Sequence, residues 1–364
     1  MSIKRFHLPA RLSRIVSTLG LAALFVLTLE IAARVDDWIH YGAPLFKRYE
    51  FDRLFQVDAK GLHGAANAQY LRWRLNAEGL RGEDVRPDTG QIRILTYGAS
   101  ETFGIFEENG KEYPRALERE LNNRTIPDHY EILNAGLPGM RVGSGIALFK
   151  ELASRFNPSV VVIYPTPTHY IGVGRPYCNR PPKPILVNSD LWPGIRIGDK
   201  LREEFKKIVP PIVQHEMRKV SIRWQTRDQF LLDQVDKTSL EAFQADLTCV
   251  INAAHTLGMK PILVTHANRF GKSHFGDDAL RLTQWRQQYP ELREEGFLDL
   301  EQRANEVVRT LAKTQDVLLV DADKEMSGET KWFADHVHFT NEGATALAVM
   351  LMPTILSITA SSPR

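Results

Sequence analysis

The stretch that decides the fold of this chain reads IRILTYGAS and spans residues 92–100. It begins as an apolar run of strand length, and the small residues Gly98 and Ala99 then permit a sharp turn into Ser100. A second segment, DHVHFT at residues 335–340, places an Asp and a His three residues apart, just before a C-terminal helical pattern. The two segments supply a nucleophile, a base and an orienting carboxylate, which are the groups needed for acyl transfer through a serine ester.

Outward from that strand, apolar segments of strand length alternate with amphipathic segments of helix length. The predicted strands are 92–97, 130–133, 160–164, 261–265 and 317–320. The predicted helices are 111–123, 143–156, 239–257, 300–312 and 341–356. This alternation predicts an α/β fold with a doubly wound, flavodoxin-like parallel five-stranded sheet and helices on both faces. Ser100, Gly136 and Thr168 follow strands, so we expect them at the carboxyl edge, where such sheets bind ligands.

Composition excludes few classes of protein. Of the 364 residues, 43% are hydrophobic and 25% are charged, as in ordinary globular proteins, and the net charge is +2. No basic run is interleaved with aromatic residues in the body of the chain, so no nucleic-acid partner is predicted. The histidines lack the spacing of metal ligands, and Asp321 and Asp323 have no His or Cys partner in the sequence. Neither a metal nor a cofactor is therefore predicted.

The N-terminus carries basic residues and then an apolar run, residues 15–34, that is interrupted by Glu30. This run is just long enough to cross a bilayer. Basic residues before it, with Asp36 and Asp37 after it, favour a cytoplasmic tail at 1–14, a single transmembrane anchor in the inner membrane and an exported, periplasmic body. A cleavable signal peptide and a buried soluble helix are the alternatives.

After the anchor, glycines break up residues 35–90, which we interpret as a neck leading into a catalytic domain at 91–358. Residues 171–237 interrupt the strand–helix pattern with a proline-rich start, and we interpret them as an insertion over the active-site edge. The two cysteines, Cys178 and Cys249, either form a disulfide, which an exported body permits, or remain free thiols.

Three short motifs resemble sequence blocks of the SGNH (GDSL-type) hydrolases. They are GAS at 98–100, NAG at 134–136 and the pair Asp335-x-x-His338, and the resemblance extends over residues 91–358. Ala99 stands where the family usually has an Asp. The membrane-anchored layout, with NxxGxRG at 76–82, is similar to exported SGNH proteins that add or remove acyl groups on bacterial surface glycans.

The resemblance implies a role for each of these residues. Ser100 is the nucleophile, His338 the base that takes its proton, and Asp335 the carboxylate that orients the histidine. The amides of Ser100 and Gly136 are the expected oxyanion donors, and Thr168 stands where the family has an asparagine side chain. Interpreted as ordinary structure, Ser100 would be a helix N-cap, Asp335 a turn cap and Gly136 a turn glycine.

Together, these inferences predict an ester hydrolase that removes acyl groups, such as acetyl, from a surface glycan through an acyl-enzyme. The missing asparagine also fits an O-acetyltransferase that uses the same triad, or a non-catalytic glycan-binding or assembly subunit. The predicted partners are an acylated glycan or another ester, the inner membrane and polysaccharide-assembly proteins.

Overall fold

The computed structural model describes residues 10–58, 61–126, 129–178, 180, 194–225, 231–271 and 285–359. The chain forms two compact units. One combines residues 1–51 with 188–210, and the other combines residues 52–187 with 211–364. We call them the helical unit and the sheet unit, and each is described by itself.

Helices and strands are numbered along the described chain. The helices are α1 (Ala10–Tyr41), α2 (Ser100–Phe103), α3 (Tyr113–Arg124), α4 (Ile146–Phe156), α5 (Arg196–Ile208), α6 (Pro211–Gln225), α7 (Lys237–Thr256), α8 (Glu294–Thr314), α9 (Ala322–Met326) and α10 (Asn341–Thr359). The strands are β1 (Phe55–Asp58), β2 (Gly61–Gly64), β3 (Gln69–Tyr70), β4 (Trp73–Arg74), β5 (Ile92–Gly98), β6 (Tyr130–Asn134), β7 (Val160–Tyr164), β8 (Lys260–Val264) and β9 (Leu318–Val320).

The helical unit is built from α1 and α5. Within α1, Arg14–Tyr41 reaches a mean hydropathy of 2.1 and is long and apolar enough to cross a membrane, by length and composition only. Its apolar side chains are exposed, with Leu21 at 69% for example. The stretch predicted as an anchor, residues 15–34, is thus part of one longer continuous helix.

The sheet unit is organised around a five-stranded parallel sheet. Its strand order is β6-β5-β7-β8-β9, which is the doubly wound, flavodoxin-like order predicted from the sequence. Strand β7 lies in the middle, and every residue of its VVVIY sequence is buried. Burial on both faces is the reason why this strand reads as a continuous apolar run and not as an alternating one.

Helices cover both faces of the sheet, because successive side chains of a strand point to opposite sides. On one face, Leu95 and Leu133 share a core with residues of α4, α7 and α8, Phe149 and Phe243 among them. On the other face, Ile94 and Ile132 pack with α3 and α10. Helix α10 is also apolar enough to span a membrane by composition, but it packs in this core, with Leu347, Leu351 and Ile355 fully buried.

Several short elements have no counterpart in the prediction. Residues 52–90 contain two antiparallel hairpins, β1–β2 and β3–β4. Helices α5 and α6 fall within the predicted insertion at 171–237, of which residues 179, 181–193 and 226–230 lie outside the described part of the chain. That insertion, and the domain boundaries as a whole, stay predictions.

A disulfide joins Cys178 to Cys249 across 71 residues of sequence, with the two α-carbons 6.5 Å apart. The alternative of two free thiols is therefore excluded. Beside the bridge, the buried carboxylate of Asp246 accepts hydrogen bonds from the amides of Tyr177 and Cys178, at 2.8 and 2.9 Å. The bridge and Asp246 together fasten the loop that follows β7 to helix α7.

Candidate active site

Ser100 lies where strand β5 gives way to the short helix α2. The close approach of strand and helix requires glycine, because a Cβ added at Gly98 would lie 2.2 Å from the hydroxyl of Thr102. A Cβ at Gly136 would likewise meet the Phe103 backbone nitrogen at 2.3 Å. The helix begins at Ser100 itself and Ala99 occupies the N-cap position, so Ser100 is not the cap that ordinary structure would make it.

The structure brings together three predicted residues that are far apart in sequence. The Ser100 hydroxyl lies 2.8 Å from Nε2 of His338, and Nδ1 of His338 lies 2.8 Å from Oδ2 of Asp335. The second carboxylate oxygen of Asp335 accepts the amides of Val337 and His338, at 3.0 and 2.9 Å. Asp335 therefore caps its own turn and orients the histidine at the same time, which fixes the ring with Nε2 toward the serine.

Electrostatics favour an ionised Asp335 and a basic His338. Burial raises the pKa of Asp335, but the charge of His338 and the hydrogen bonds that His338 donates outweigh burial, and the pKa of Asp335 falls well below its usual range. For His338, burial lowers the pKa, whereas the carboxylates of Asp335 and Glu101 raise it, and the net pKa is above the ordinary 6.5. A general base of raised pKa accepts a serine proton more readily than ordinary imidazole does.

The neighbouring His336 has a different environment. It is 4% exposed, and burial lowers its pKa to about 4, so it stays neutral at physiological pH. Its backbone carbonyl accepts the amide of Arg269 at 2.9 Å. Of the two histidines in this segment, it is His338 whose ring meets Ser100, as the family pattern implied.

A second hydrogen-bonded network adjoins the serine, and the sequence did not predict it. Oε2 of Glu101 lies 3.3 Å from the Ser100 hydroxyl, from which it can accept a hydrogen bond, and it accepts the Thr166 hydroxyl at 2.9 Å. Its other oxygen lies 3.1 Å from Nε2 of His266, and Nδ1 of His266 lies 2.6 Å from Glu301. We call Glu101, His266 and Glu301 the buried network, since each is at most 2% exposed.

Proton sharing makes the buried network one electrostatic unit. Burial lowers the pKa of His266, but the two carboxylates raise it to about 10. Burial raises the pKa of Glu101, but His266 more than reverses this, whereas the pKa of Glu301 remains raised. Both ring nitrogens of His266 contact a carboxylate, and the lowered pKa of Glu101 keeps that carboxylate ionised beside Ser100.

The upstream motif at 76–82 supports the helix that begins at Ser100. Arg81, which is 1% exposed, donates from Nη1 to the carbonyl of Gly104, and its guanidinium lies 4.9 Å over the ring of Phe103. Asn76 shapes the turn before it by accepting the amides of Glu78 and Leu80, both at 2.9 Å. The motif therefore fixes the C-terminal end of α2, and so the position of Ser100 at its start.

The predicted oxyanion donors occupy three different situations. The Ser100 amide lies in the first turn of α2, where a helix has no acceptor of its own. The Gly136 amide donates to the side-chain oxygen of Asn134 at 3.0 Å. Thr168 is buried and its hydroxyl bonds Tyr289. Their roles as oxyanion donors stay predictions.

Two further residues of this edge were not singled out from the sequence. Gly139 has a φ of +76° in a turn closed by the Met140 amide, is exposed, and has open space where a side chain would lie. Phe106 is 45% exposed and its ring centre lies 5.3 Å from that of His338, so it forms an apolar wall beside the imidazole.

Comparison with known proteins gives a fold likeness only. No family model and no curated protein matches the chain. Among solved structures, it is similar to an acetyl xylan esterase, AlAXEase (TM-score 0.43, 15% identity, covering 72% of this chain and 100% of that one). It is also similar to the lipase/acylhydrolase from Enterococcus faecalis (0.43, 15%, 73% and 96%) and to TesA (0.40, 15%, 72% and 97%). Structural similarity at this level does not support an inference about function. Any functional assignment has to come from the geometry of the site.

Proposed function

We propose that this chain is a serine-dependent ester hydrolase of the SGNH type that removes O-acyl groups, acetyl above all, from a surface glycan. The observation that carries the proposal is the hydrogen-bonded chain from Ser100 through His338 to Asp335. Its geometry is that of a nucleophile, a general base and an orienting carboxylate. The choice of a glycan as the carrier of the acyl group rests on the sequence resemblance alone.

Acylation follows from this geometry. The Ser100 oxygen attacks the ester carbonyl carbon while its proton passes to Nε2 of His338, and the carbonyl oxygen becomes an oxyanion. Asp335 stabilises the imidazolium that forms and keeps Nδ1 protonated. The Ser100 amide donates to the oxyanion, and the Gly136 amide joins it by leaving the side-chain oxygen of Asn134 that it binds in this structure. When the carbon–oxygen bond of the leaving group breaks, His338 returns the proton to that alcohol and an acyl-serine remains.

Deacylation runs the same steps with a second acceptor. His338 takes a proton from water, the hydroxide attacks the acyl-serine, and the proton returns to Ser100 as the carboxylic acid leaves. If a sugar hydroxyl replaces water, the product is a new ester and the enzyme is an O-acetyltransferase. This second candidate is kept because both reactions use the same acyl-serine and the same oxyanion donors, and differ only in the hydroxyl that attacks.

We also propose an extracytoplasmic, membrane-anchored location. The support is the apolar helix α1 and the Cys178–Cys249 disulfide, since structural disulfides persist mainly in oxidising compartments. The surface glycan of the proposal would be found in the same place.

The test is acylation of Ser100. The full chain in detergent is mixed with p-nitrophenyl acetate, and peptides are examined for one added acetyl group. We expect acetate on the peptide that contains Ser100, and none in Ser100→Ala. Ser144→Ala is the matched control, since that hydroxyl bonds the Arg141 carbonyl on a different element. Absence of both adduct and turnover between about pH 6 and 9, where imidazole is largely neutral, would refute the proposal.

Acetylated and deacetylated oligosaccharides then separate the two candidate reactions. Release of free acetate supports the hydrolase, and transfer of labelled acetyl to the deacetylated acceptor supports the transferase. A chain that binds the oligosaccharide but forms no acyl-serine would be a non-catalytic binding subunit.

A further inference from the structure

Helix α5 is amphipathic, but its apolar face is exposed, whereas a helix that packs on a protein core buries its apolar face. Its apolar side chains are exposed, Leu201 at 61%, Phe205 at 61% and Ile208 at 77%. These three recur at the spacing of one helix face. Its charged side chains Arg196 and Lys200 are instead the ones that face a neighbour, because they bind residues of α1.

The contact between α1 and α5 is a network of charges. Glu30 of α1 accepts the amides of Arg196 and Ile197 at the start of α5, at 2.9 and 3.0 Å. Arg34 binds Glu30 at 2.7 Å and also donates to the carbonyl of Gly194 at 2.8 Å. Residues 30–37 of α1 are therefore part of the fold of the helical unit. A signal peptide cleaved after them would remove the partners of α5, so the contact favours a retained anchor over a cleaved signal.

Further along α1 the same side of the helix remains charged. Lys200 pairs with Asp36 and lies 2.9 Å from Asp37, and Arg196 lies 3.6 Å from Asp37. The outer side of α1 stays apolar over the same stretch, with Trp38 at 54% and Ile39 at 65% exposure. Ionisable residues inside a bilayer characteristically face another protein element and pair there, as these residues do.

Length along α1 gives the depth at which α5 docks. At 1.5 Å per residue, Glu30 lies about 22 Å and Asp37 about 33 Å from the first apolar residue, Ile15. A hydrocarbon core is about 30 Å thick, so the contacts of α5, which extend from Glu30 to Asp37, span the level at which α1 leaves the core on the exported side. Trp38 and Tyr41 lie at this level, which is where aromatic residues concentrate in membrane proteins.

We propose that α5 lies in the outer interface of the bilayer that α1 crosses, with Leu201, Phe205 and Ile208 directed into the lipid. Lipid is the occupant that fits because the exposed face is apolar, lies on a helix that contacts α1 at the level where α1 leaves the core, and belongs to the same unit as the apolar helix. The inference rests on the anchoring that forms part of the proposed function. It does not depend on the chemistry at Ser100.

The test uses the full chain in nanodiscs of phosphatidylethanolamine and phosphatidylglycerol. Both native cysteines are bridged, so one spin-labelled cysteine at a time reports its surroundings. The reporting variants are Leu201→Cys, Phe205→Cys and Ile208→Cys. Arg202→Cys on the same helix, an exposed position outside that face, is the matched control, and Leu21→Cys on α1 is the depth marker.

We expect the three apolar positions to collide preferentially with oxygen, which concentrates in lipid, and Arg202→Cys to collide preferentially with a water-soluble nickel chelate. Equal nickel accessibility at all four positions would overturn the inference. Spectral broadening that disappears on dilution with unlabelled chain would mean that a second copy covers the face, which also overturns it.

The depth marker, Leu21→Cys, distinguishes failure of the α5 inference from failure of the membrane anchoring on which it rests. If Leu21→Cys is in lipid and the α5 positions are in water, α5 fails alone and the anchor stands. If Leu21→Cys is in water, or if mature protein begins after residue 41, anchoring fails and α5 fails with it. Esterase turnover of the same labelled proteins is recorded separately, so that failure of the catalytic proposal is not mistaken for failure of insertion.

Discussion

Replacing Glu101 by glutamine should shift the pH profile of the enzyme to lower pH. Glu101 is buried beside Ser100, and its negative charge is one of the influences that raise the pKa of His338. Asp335 from the histidine's own loop acts in the same direction. Burial raises the pKa of Glu107, in the segment after α2, to about 8, so that carboxyl is largely protonated near neutral pH and adds little. Glutamine keeps the shape and the oxygen that accepts the Thr166 hydroxyl but removes the charge. His338 must be neutral to act as base, so a lower pKa extends activity toward acid pH.

The structure sets the size of the effect. Ser100 Oγ lies 2.8 Å from the imidazole and 3.3 Å from the Glu101 carboxylate, so the two groups are at most about 6 Å apart. At an effective dielectric constant of about 20, a unit charge at that distance contributes about 2.7 kcal/mol, or about 2 pH units. His266 shares protons with Glu101 and absorbs part of the change. We therefore expect the acid limb of kcat/KM to move down by about 1 to 2 units.

The assay is kcat/KM for p-nitrophenyl acetate across the pH range. Glu131→Gln is the matched control, because Glu131, like Glu101, is a buried carboxylate with a charged partner. Its partner is Arg93, at 2.8 Å. Glu131 lies at the amino end of β6, away from the carboxyl edge that holds the site. A purely structural effect would lower kcat/KM in both variants without moving the limb in either.

The prediction is wrong if the acid limb of kcat/KM for Glu101→Gln stays within about 0.3 pH unit of the parent while the variant remains folded and active. A shift of that size corresponds to only about 0.4 kcal/mol. Such a result would mean that proton rearrangement in the buried network restores the charge completely. A shift to higher pH would contradict the sign of the interaction.

Three other perturbations test neighbouring parts of the account. Asp335→Asn should lower kcat by about three to four orders of magnitude with little change in KM, because the ring loses its orienting acceptor; unchanged turnover would remove Asp335 from the site. Thr168→Asn should raise kcat by up to about 10² if Thr168 lines the oxyanion hole, and an unchanged rate in active enzyme would exclude it. Replacing Cys178 and Cys249 together by serine should lower the free energy of unfolding by about 2 to 4 kcal/mol, because the bridge closes a long loop; urea unfolding that coincides with the parent would contradict this.

The sequence predicted the sheet well because its central strands are buried on both faces. A run such as VVVIY has no polar face for solvent, so it can be recognised as a buried strand from its own sequence alone. Helices α5 and α6 were missed for the converse reason. The apolar face of α5 is exposed and does not pack in the core of the sheet unit. In the sequence, a long proline-rich segment also separates α5 from the preceding strands and helices of the alternating pattern.

The triad could be predicted because two of its three residues are close in sequence. Asp335 caps the turn that carries His338, so the two residues are held together by the spacing that the sequence displays. The buried network has no such signature, since Glu101, His266 and Glu301 come from three distant segments. The signal in the sequence that could have found His266 is its position just after strand β8.

Sheet order explains how that network forms. Strand β7 lies between β5 and β8, so residues that follow these three strands meet in sequence along one edge of the sheet. Glu101 comes after β5, Thr166 after β7 and His266 after β8, and Glu101 binds both of the others: it accepts the Thr166 hydroxyl at 2.9 Å and lies 3.1 Å from Nε2 of His266. Once the parallel order is assigned, the polar residues directly after adjacent strands become the expected partners of the nucleophile. Topology, and not spacing, therefore holds the information that places a negative charge beside Ser100.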